Sequence, residues 1–418
     1  MKVVIIAGGK GTRIRSVAEE IPKAMIPVNG KPILEYQVEL AKRYGFTDFL
    51  FLTGYLGEKI ETFFGDGYSH NVSIEYYRER EPLGTAGAFA KIADKLKDDF
   101  WVFYGDTIMD FDMGKMLDFH HSHHSEATLF LHPNDHPADS DLVDIDENNR
   151  ISGFYPQPHE SRYHRNLVNA ALYIFSPSIL RYTHIIKAGE KSDWGKNIFP
   201  LALSSGAQMF GYVSAEYIKD MGTPDRYEKV CKDVLTGKVA RLNSKNKRPA
   251  FFLDRDGVIN KEVDLLATPE QMELLPGVPE AIRKINQAGY LAIVVTNQPV
   301  IARNLCDFQE LQQIHNKMET LLGQEGSYLD AIYFCPHHPD KGHPEERVAY
   351  KTDCTCRKPK PGMLLKAADD WNIDLSKSYM IGDRPADVEA GEAARVKQSI
   401  LIPQNTANAL LHIVNTLL

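Results

Sequence analysis

Short apolar runs alternate with amphipathic stretches through the first half of the chain. Helical spacing of the apolar positions predicts helices at Ile33–Tyr44 and Gly87–Leu96. Runs rich in β-branched and aromatic residues predict strands at Val3–Ala7, Asp48–Thr53, Phe100–Tyr104, Ala127–Leu131 and Ala170–Phe175. Alternation of strands and helices indicates the α/β class, with a mostly parallel sheet that carries helices on both faces.

A polar stretch at Arg241–Pro249 interrupts this pattern with four basic residues, no acidic residue and a final proline. Such a composition is typical of an interdomain linker. Strands are predicted again at Ala250–Asp254, Leu291–Val295 and Tyr379–Ile381. The sequence therefore predicts two α/β domains, at residues 1–240 and 250–418, joined by a linker at 241–249.

The bulk composition excludes several classes of protein. The 418 residues are 43% hydrophobic and carry a formal net charge of −8, which provides no basic surface for nucleic acid or an anionic membrane. No run of about 18 apolar residues occurs, and the apolar N-terminal run stops too early for a signal peptide. Five cysteines are too few for a disulfide scaffold. We therefore expect a cytoplasmic enzyme that acts on small molecules. Whether the chain forms a homo-oligomer is left open by the sequence.

The first candidate site begins at the glycine-rich loop Gly8–Arg13, directly after the first predicted strand. Glycines in such a loop let backbone N–H groups approach phosphates, although a plain tight turn has the same composition. Lys23 follows, and Asp106 and Asp220 end two later apolar strands. Cations with strand-end carboxylates suit a nucleoside triphosphate bound with Mg²⁺.

These motifs resemble the sugar-1-phosphate nucleotidyltransferase family over residues 1–235. The resemblance implies a Rossmann-like domain in which a sugar 1-phosphate attacks the α-phosphorus and releases pyrophosphate. Arg13 and Lys23 would then act on the phosphates, and Asp106 and Asp220 would bind Mg²⁺. The implied substrate contacts are Gly8, Gly9, Gly11, Thr12, Gly84, Thr85, Gly87 and Asn169.

Two departures from that family bear on sugar preference. The family commonly has Glu-Lys-Pro ahead of its Val-Asn-Ala-Gly strand, where this chain has Phe154-Tyr-Pro-Gln-Pro158. The strand itself reads Val168-Asn-Ala-Ala171, so that Ala171 occupies the usual glycine position. We expect either change to alter sugar preference rather than to abolish activity.

The second candidate site begins at Asp254-Arg-Asp256, which ends the first strand of the C-terminal domain. This motif alone also fits a capped turn. Thr296 ends the next strand, and Lys358 and Asp383 follow in that order. A carboxylate nucleophile, a hydroxyl, a cation and a metal carboxylate are the parts of a phosphomonoester hydrolase.

Order and spacing resemble the haloacid dehalogenase (HAD) superfamily over residues 250–418, which implies a second Rossmann-like domain. Asp254 would attack phosphorus and become an aspartyl phosphate, and Asp256 would act as general acid and base. Mg²⁺ would be held by Asp254, Asp256 and Asp383. The implied phosphate and substrate contacts are Thr296, Asn297, Arg303, Arg357 and Lys358.

Two closely spaced pairs, Cys335-x-His337 and Cys354-x-Cys356, precede Lys358. Four such ligands suit a tetrahedral structural Zn²⁺, whereas a loop with incidental cysteines is the plain alternative. A disulfide between Cys354 and Cys356 would be strained. The loop resembles a HAD subgroup that contains heptose-1,7-bisphosphate 7-phosphatases and histidinol-phosphate phosphatases, although Pro299 and Val300 replace the Ser-Gly usual there.

Fusion of these two domains suggests consecutive steps of one pathway. The leading hypothesis is a bifunctional enzyme of nucleotide-activated heptose synthesis, with a guanine nucleotide favoured by resemblance alone. A second hypothesis combines a mannose-type or other hexose nucleotidyltransferase with a histidinol-phosphate-like or other sugar phosphatase. A third is a regulatory protein with one inactive domain, and both intact carboxylate sets argue against it.

Overall fold

The computed structural model describes residues 1–9, 11, 14, 20–159, 163–186, 190–340 and 345–418. The chain forms two compact units. The first comprises Met1–His132, Val143–Pro156 and Asn169–Asn243, and the second comprises Pro133–Leu142, Gln157–Val168 and Ser244–Leu418. The domain limits at 240 and 250 stay a prediction. The sequence had not indicated that two segments of the first half belong to the second unit.

Strands of the N-terminal half pair in the order β10-β9-β11-β6-β1-β4-β5, and β8 joins β11 to β12. The central four, β6-β1-β4-β5, are parallel, whereas β11 runs antiparallel to β6. Two further pairs, β7 with β13 and β2 with β3, stand apart. Their bounds are β1 Lys2–Ile6, β2 Pro27–Val28, β3 Lys31–Pro32, β4 Asp48–Thr53, β5 Ser73–Arg78, β6 Phe100–Tyr104, β7 Thr107–Asp110, β8 Ala127–His132, β9 Leu142–Ile145, β10 Ile151–Tyr155, β11 Val168–Phe175, β12 Met209–Val213 and β13 Tyr217–Asp220.

Helices of the same half cover the sheet and bury its apolar residues. Val3, Phe51 and Trp101 on the central strands are fully buried, as apolar runs in parallel sheets generally are. The helices are α1 Ile33–Arg43, α2 Gly57–Phe64, α3 Phe89–Ile92, α4 Met113–Ser122, α5 Phe199–Ser204, α6 Pro224–Leu235 and α7 Lys238–Arg241. Helix α3 begins two residues later than predicted, where the backbone N–H of Ala86 donates to the carbonyl of Ser192 at 3.0 Å and holds a turn. It ends early because Ala93–Lys95 form a 3₁₀ turn.

The second unit contains a parallel sheet in the order β16-β15-β14-β17-β18. Its core includes Phe251, Leu253, Val294 and Ile381, all fully buried. The strands are β14 Ala250–Leu253, β15 Leu291–Asn297, β16 Ala331–Cys335, β17 Tyr379–Gly382 and β18 Gln398–Leu401. The helices are α8 Val278–Ala288, α9 Phe308–Gln324, α10 Gly362–Asp370, α11 Pro385–Ala393 and α12 Ala409–Leu417. The α/β prediction is confirmed.

The two segments that the first half contributes to the second unit, Pro133–Leu142 and Gln157–Val168, pack against helix α9. The backbone N–H of His164 donates to the Thr320 hydroxyl at 3.2 Å. A side chain at Gly323 would put its Cβ 2.4 Å from Cγ of Pro137, so this position accepts only glycine without rearrangement. Among the described residues, no helix is long and apolar enough to cross a membrane.

Candidate active sites

The glycine loop of the first site lies at the carboxyl end of β1, in the middle of the parallel strands. Gly8 packs closely, since a Cβ there would lie 3.2 Å from Oε2 of Glu79. A Cβ on Gly9 would meet no atom within 4 Å. Gly11 has φ of +57°, a conformation that favours glycine. Thr12 and Arg13, both predicted site residues, lie outside the described residues.

The predicted cation and carboxylates of this site are close together. Nζ of Lys23 forms an ion pair with the Asp106 carboxylate. Strand β13 pairs with β7 so that Asp220 lies opposite Thr107, and the N–H of Met221 donates to the Asp106 carbonyl at 3.0 Å. The two carboxylates predicted to bind Mg²⁺ therefore stand at the same end of this strand pair.

Asp220 also has a cationic partner that the sequence had not indicated. Nη1 of Arg226 donates to both Asp220 carboxylate oxygens, at 2.8 and 3.0 Å. Arg226 lies one turn into α6, which Thr223 caps by accepting the Arg226 N–H. The helix therefore places a cation beside a proposed metal ligand, and that cation must move or share the carboxylate if a metal binds there.

The second glycine turn is held by a loop more than a hundred residues away in the chain. Gly84 has φ of +80°, and a Cβ there would lie 2.2 Å from the Ser192 carbonyl oxygen. The Thr85 hydroxyl donates to Asp193 at 2.7 Å and accepts from the N–H of Trp194 at 3.0 Å. Thr85, proposed from the sequence as a substrate contact, thus has a positioning role in the turn.

Strand β11 keeps a left-handed backbone conformation at the position where the family has glycine, although this chain has alanine there. Ala171 has φ of +56°, a left-handed conformation that costs a residue with a Cβ about 1–2 kcal/mol. Its N–H donates to Oδ1 of Asn169 at 3.2 Å, which orients this predicted substrate contact. The departure from the family is therefore a strained alanine rather than a rearranged strand.

Glu79 follows β5 and carries a carboxylate that the sequence analysis missed. Burial raises the pKa of Glu79 to about 7, although a hydrogen bond from the Leu83 backbone works in the opposite direction. Its own N–H donates to the Thr53 carbonyl at 2.8 Å. Across the described part of the chain, no cation forms an ion pair with it. A half-buried carboxylate with a raised pKa beside a predicted phosphate-binding loop is a candidate functional residue.

The second site is built around a buried lysine between two carboxylates. Nζ of Lys358 lies 2.7 Å from Oδ1 of Asp254 and 2.6 Å from Oδ1 of Asp387. Burial raises the pKa of Asp254, against the opposing effect of Lys358. Burial alone would lower the pKa of Lys358, but the two carboxylates raise it above its ordinary value. Lys358 is therefore a fixed positive charge beside the predicted nucleophile.

Asp256 is held by three different side chains. Nη2 of Arg255 donates to both of its carboxylate oxygens at 2.8 Å, Nδ2 of Asn260 at 3.0 Å and Nε2 of Gln298 at 2.9 Å. Burial would raise the pKa of Asp256, yet Arg255 and these hydrogen bonds hold it below its ordinary value. Arg255 has no exposed surface and is a positioning residue.

The residues around Asp254 fit a divalent cation. Carboxylate oxygens of Asp254, Asp383 and Asp387 lie within 4.8 Å of one another. Oδ1 of Asp383 is buried and, within the described residues, has no hydrogen-bond partner. Gly257, with φ of +82°, leaves room for this carboxylate, because a Cβ there would lie 2.3 Å from Oδ2 of Asp383. An orphaned carboxylate oxygen in an all-oxygen cluster suits Mg²⁺.

The predicted phosphate and substrate contacts line one cavity of about 200 Å³. The Asn297 side chain accepts from the Lys358 N–H and donates to the Lys358 carbonyl, both at 3.1 Å, and so fixes the lysine backbone. Arg384 forms an ion pair with Glu262 at 2.8 Å at its rim. The cavity lining includes Asp254, Thr296, Asn297, Arg303, Arg357 and Lys358.

The four predicted zinc ligands form one cluster, and their cysteines are free of disulfides. The Sγ atoms of Cys354 and Cys356 are 3.1 Å apart, and Sγ of Cys335 lies 3.7 Å from Nδ1 of His337. Ligand atoms of a tetrahedral zinc site with bonds of about 2.3 Å stand at similar separations. The donor set and its size therefore fit Zn²⁺.

Comparisons with known proteins identify two families, whose matches overlap at residues 163–237. Residues 2–237 match the nucleotidyl transferase family, and residues 163–395 match the haloacid dehalogenase-like hydrolase family. A D-glycero-β-D-manno-heptose-1,7-bisphosphate 7-phosphatase from Rhodopseudomonas palustris is 41% identical over 150 residues, which are 36% of this chain and 81% of that protein. A mannose-1-phosphate guanylyltransferase from Mycobacterium tuberculosis is 33% identical over 236 residues, which are 56% of this chain.

The chain spans only 64% of the length of that guanylyltransferase. Among solved structures, a glucose-1-phosphate thymidylyltransferase from Bacillus anthracis, described as putative, aligns with a TM-score of 0.50 and 22% identity. The alignment covers 56% of this chain and 96% of that one, and at this identity it shows a shared fold alone.

Proposed function

Because the chain belongs both to the nucleotidyl transferase family and to the haloacid dehalogenase-like hydrolases, we propose that it catalyses two consecutive steps of nucleotide-heptose synthesis. The first step removes the 7-phosphate of D-glycero-D-manno-heptose 1,7-bisphosphate. The second transfers GMP from GTP to the resulting heptose 1-phosphate and releases pyrophosphate. The observation that carries this proposal is the Asp254–Lys358 pair beside the Cys/His cluster, in a region 41% identical to a heptose bisphosphatase.

In the phosphatase step, an oxygen of Asp254 attacks phosphorus and the bond to the heptose oxygen breaks. Lys358 binds a phosphoryl oxygen and reduces the repulsion between two negative groups. Asp254, the carbonyl of Asp256 and Asp383 would hold Mg²⁺, whose charge offsets that of the phosphate. The product of this half-reaction is an aspartyl phosphate on Asp254.

Asp256 moves the protons of this step. It gives one to the departing heptose oxygen and takes one from the water that hydrolyses the aspartyl phosphate. Arg255, Asn260 and Gln298 hold the carboxylate in place for both transfers. Their donation favours the ionised form that is left after the first transfer, and this form can then accept a proton from water. The proton taken from water restores the acid for the next turnover.

The nucleotidyl step needs no protein nucleophile, since the sugar phosphate itself attacks the α-phosphorus. Positioning and charge neutralisation therefore carry the catalysis. Lys23 would contact phosphate oxygens, and Asp106 and Asp220 would hold Mg²⁺. The backbone at Gly8 and Gly9 would approach the nucleotide.

We assign the Cys/His cluster to a structural Zn²⁺, because all four positions are filled by protein. Cys356 lies two residues before Lys358 in the chain. The Arg357 side chain also donates to the His337 carbonyl at 3.0 Å. A bound zinc would thus hold in place the loop that carries Lys358, the proposed phosphate-binding cation.

A second candidate is a mannose-type nucleotidyltransferase on the N-terminal half, favoured by the 33% identity to a mannose-1-phosphate guanylyltransferase.

The purified chain should be supplied with heptose 1,7-bisphosphate, heptose 1-phosphate or mannose 1-phosphate, each with GTP, ATP, CTP or UTP. Mass spectrometry should find a GDP-heptose from either heptose substrate. A GDP-mannose formed faster would favour the second candidate, and the absence of any sugar nucleotide would contradict both.

A further inference from the structure

We propose that Gln37 is the positioning residue that sets the place of the Asp106 carboxylate, an inference that rests on the proposed nucleotidyl transfer. Asp106 is a predicted metal ligand and the ion-pair partner of Lys23. Gln37 lies in α1 and contacts no substrate in the mechanism derived above. Its side-chain amide is bonded to the backbone on both sides of Asp106.

Asp106 lies at a corner where the chain passes from one sheet to another. Strand β6 ends at Tyr104 in the large sheet, whereas β7 begins at Thr107 and pairs with β13. Only Gly105 and Asp106 connect the two strands. A Cβ on Gly105 would lie 3.1 Å from the Ile6 carbonyl oxygen, so this residue is closely packed. Because β6 and β7 belong to different sheets, hydrogen bonds between these two strands do not set the angle of the corner.

The Gln37 side chain links the two ends of this corner. Its Nε2 donates to the Tyr104 carbonyl and to the Thr107 carbonyl, both at 2.8 Å. The Thr107 hydroxyl accepts from the same nitrogen at 3.2 Å and itself donates to the Tyr104 carbonyl at 2.8 Å. One side chain therefore spans the residue before and the residue after Gly105-Asp106.

The orientation of the Gln37 amide follows from these partners. Backbone carbonyl oxygens only accept, so the amide nitrogen must face the corner and Oε1 must point away from it. Gln37 is fully buried, and Oε1 has no hydrogen-bond partner among the residues that the structure describes. A buried unpaired oxygen is destabilising, and an apolar side chain of the same length would avoid that cost. The benefit of glutamine here therefore lies in the hydrogen bonds that it donates.

Other backbone groups of the corner are held from two further elements. The Gly105 N–H donates to the Ile6 carbonyl at 2.9 Å, and the Met221 N–H donates to the Asp106 carbonyl at 3.0 Å. Gln37 adds the link to α1. Loss of that link would let Asp106 shift relative to Lys23, and a misplacement of about 1 Å can lower a rate about a hundredfold.

Gln37→Met tests this role, because methionine has a similar length and no donor. Val38→Ala is the control for lost packing, since Val38 is the next residue of α1 and is buried in the apolar core. Thr107→Val removes the bridging hydroxyl, and Thr107→Ser keeps it. All four variants are made in the full chain. Pyrophosphate release, its dependence on Mg²⁺, phosphate release, thermal unfolding and amide hydrogen exchange of residues 100–110 are measured for each.

We expect Gln37→Met to lower kcat for pyrophosphate release by about 10–100-fold and to raise the half-saturating Mg²⁺ concentration, as loss of support for a metal ligand commonly does. Phosphate release should stay within about twofold, because the other site is unchanged. The amides of residues 105–107 should exchange faster than in wild type. Thr107→Val should follow Gln37→Met, and Thr107→Ser should stay near wild type.

Val38→Ala should lower the melting temperature but keep pyrophosphate release within about threefold of wild type. Equal losses of pyrophosphate release in Gln37→Met and Val38→Ala would show that Gln37 acts only through packing. Wild-type pyrophosphate release in Gln37→Met, or unchanged hydrogen exchange at the corner, would also overturn the assignment.

The Thr107 pair makes the same comparison if Gln37→Met does not fold, and equal activity of Thr107→Val and Thr107→Ser would then contradict the role of Gln37. If wild type releases no pyrophosphate with any sugar phosphate, the proposed transfer fails. Hydrogen exchange of residues 105–107 still tests whether Gln37 holds the corner in that case.

Discussion

The two candidate sites differ in how far their charged side chains are exposed to solvent. In the phosphatase site the side chains of Lys358 and Asp254 are only 2% and 10% exposed. In the nucleotidyl site Asp106 is 28% and Asp220 40% exposed. The first is a largely buried site with a cavity of about 200 Å³. The second is more open and lies at the carboxyl ends of the parallel strands, where Lys23 and Arg226 already pair with the two carboxylates.

This difference matches the two chemistries. A small transferring group can be stabilised by a few preorganised charges in a dry pocket, which act strongly there. A nucleotide and a sugar phosphate must both enter and leave, so that site stays accessible. The contrast implies that substitutions in the phosphatase site should affect stability as well as activity, whereas those in the nucleotidyl site should affect activity alone.

The largest effect should come from removing the proposed nucleophile, Asp254. Asp254→Asn should lower phosphate release by at least about a thousandfold, because the aspartyl phosphate cannot form. Asp106→Asn is the matched change in the other site. Each variant should keep the untouched activity within about twofold. Phosphate release is measured from heptose 1,7-bisphosphate, and pyrophosphate release from GTP supplied with heptose 1-phosphate. Loss of both activities in either variant would contradict separate sites.

Removal of the buried cation should reduce both activity and stability. Lys358→Met leaves Asp254 and Asp387 buried without a counter-charge, which should destabilise the second unit by about 3–5 kcal/mol. Urea unfolding of the variant measures this cost. Lys23→Met, which removes the more exposed cation of the other site, should cost less than about 1 kcal/mol. Equal costs would erase the contrast between the sites.

Removal of a proposed zinc ligand should affect only the phosphatase. Cys356→Ser should lower bound zinc below about half an equivalent and phosphatase activity at least about tenfold, because the loop that carries Lys358 loses its anchor. Elemental analysis and both activity assays measure this. Cys231→Ser is the control for loss of a thiol. An equal fall in both activities would show that the loop supports the whole chain.

The smallest effect should come from Ala171. Ala171→Gly should stabilise the chain by about 0.5–1 kcal/mol, because glycine adopts a φ of +56° without strain. Ala170→Gly, at the preceding buried strand residue, should destabilise it instead. Thermal unfolding of both variants tests this. Stabilisation by both changes would exclude relief of local strain.

Local sequence predicted what depends on local pattern. Strands β4 and β6 begin and end as predicted, because their apolar runs are bounded by charged or turn residues. The spacing of the motifs predicted the four candidate zinc ligands and indicated that Asp254 and Lys358 belong to one site. These features are short in sequence or follow the fixed order of a known superfamily.

Long-range contacts were not predictable in this way. Asp193 holds Thr85 from 108 positions away, and nothing in either segment indicates the partner. Glu79 looked like any charged residue after a strand, until burial against Gly8 distinguished it. Arg255 lay inside a recognised motif, but only the structure shows that its guanidinium turns inward to Asp256. The packing of residues 133–142 and 157–168 against α9 likewise became apparent only from the tertiary structure.

A chain with both proposed activities should convert heptose 1,7-bisphosphate and GTP into a nucleotide-activated heptose. Phosphorus NMR of a single reaction with the wild-type chain, both substrates and Mg²⁺ tests this conversion most directly. We expect one inorganic phosphate and one pyrophosphate for each GDP-heptose formed. Phosphate release without pyrophosphate, or a sugar nucleotide that keeps its 7-phosphate, would contradict it.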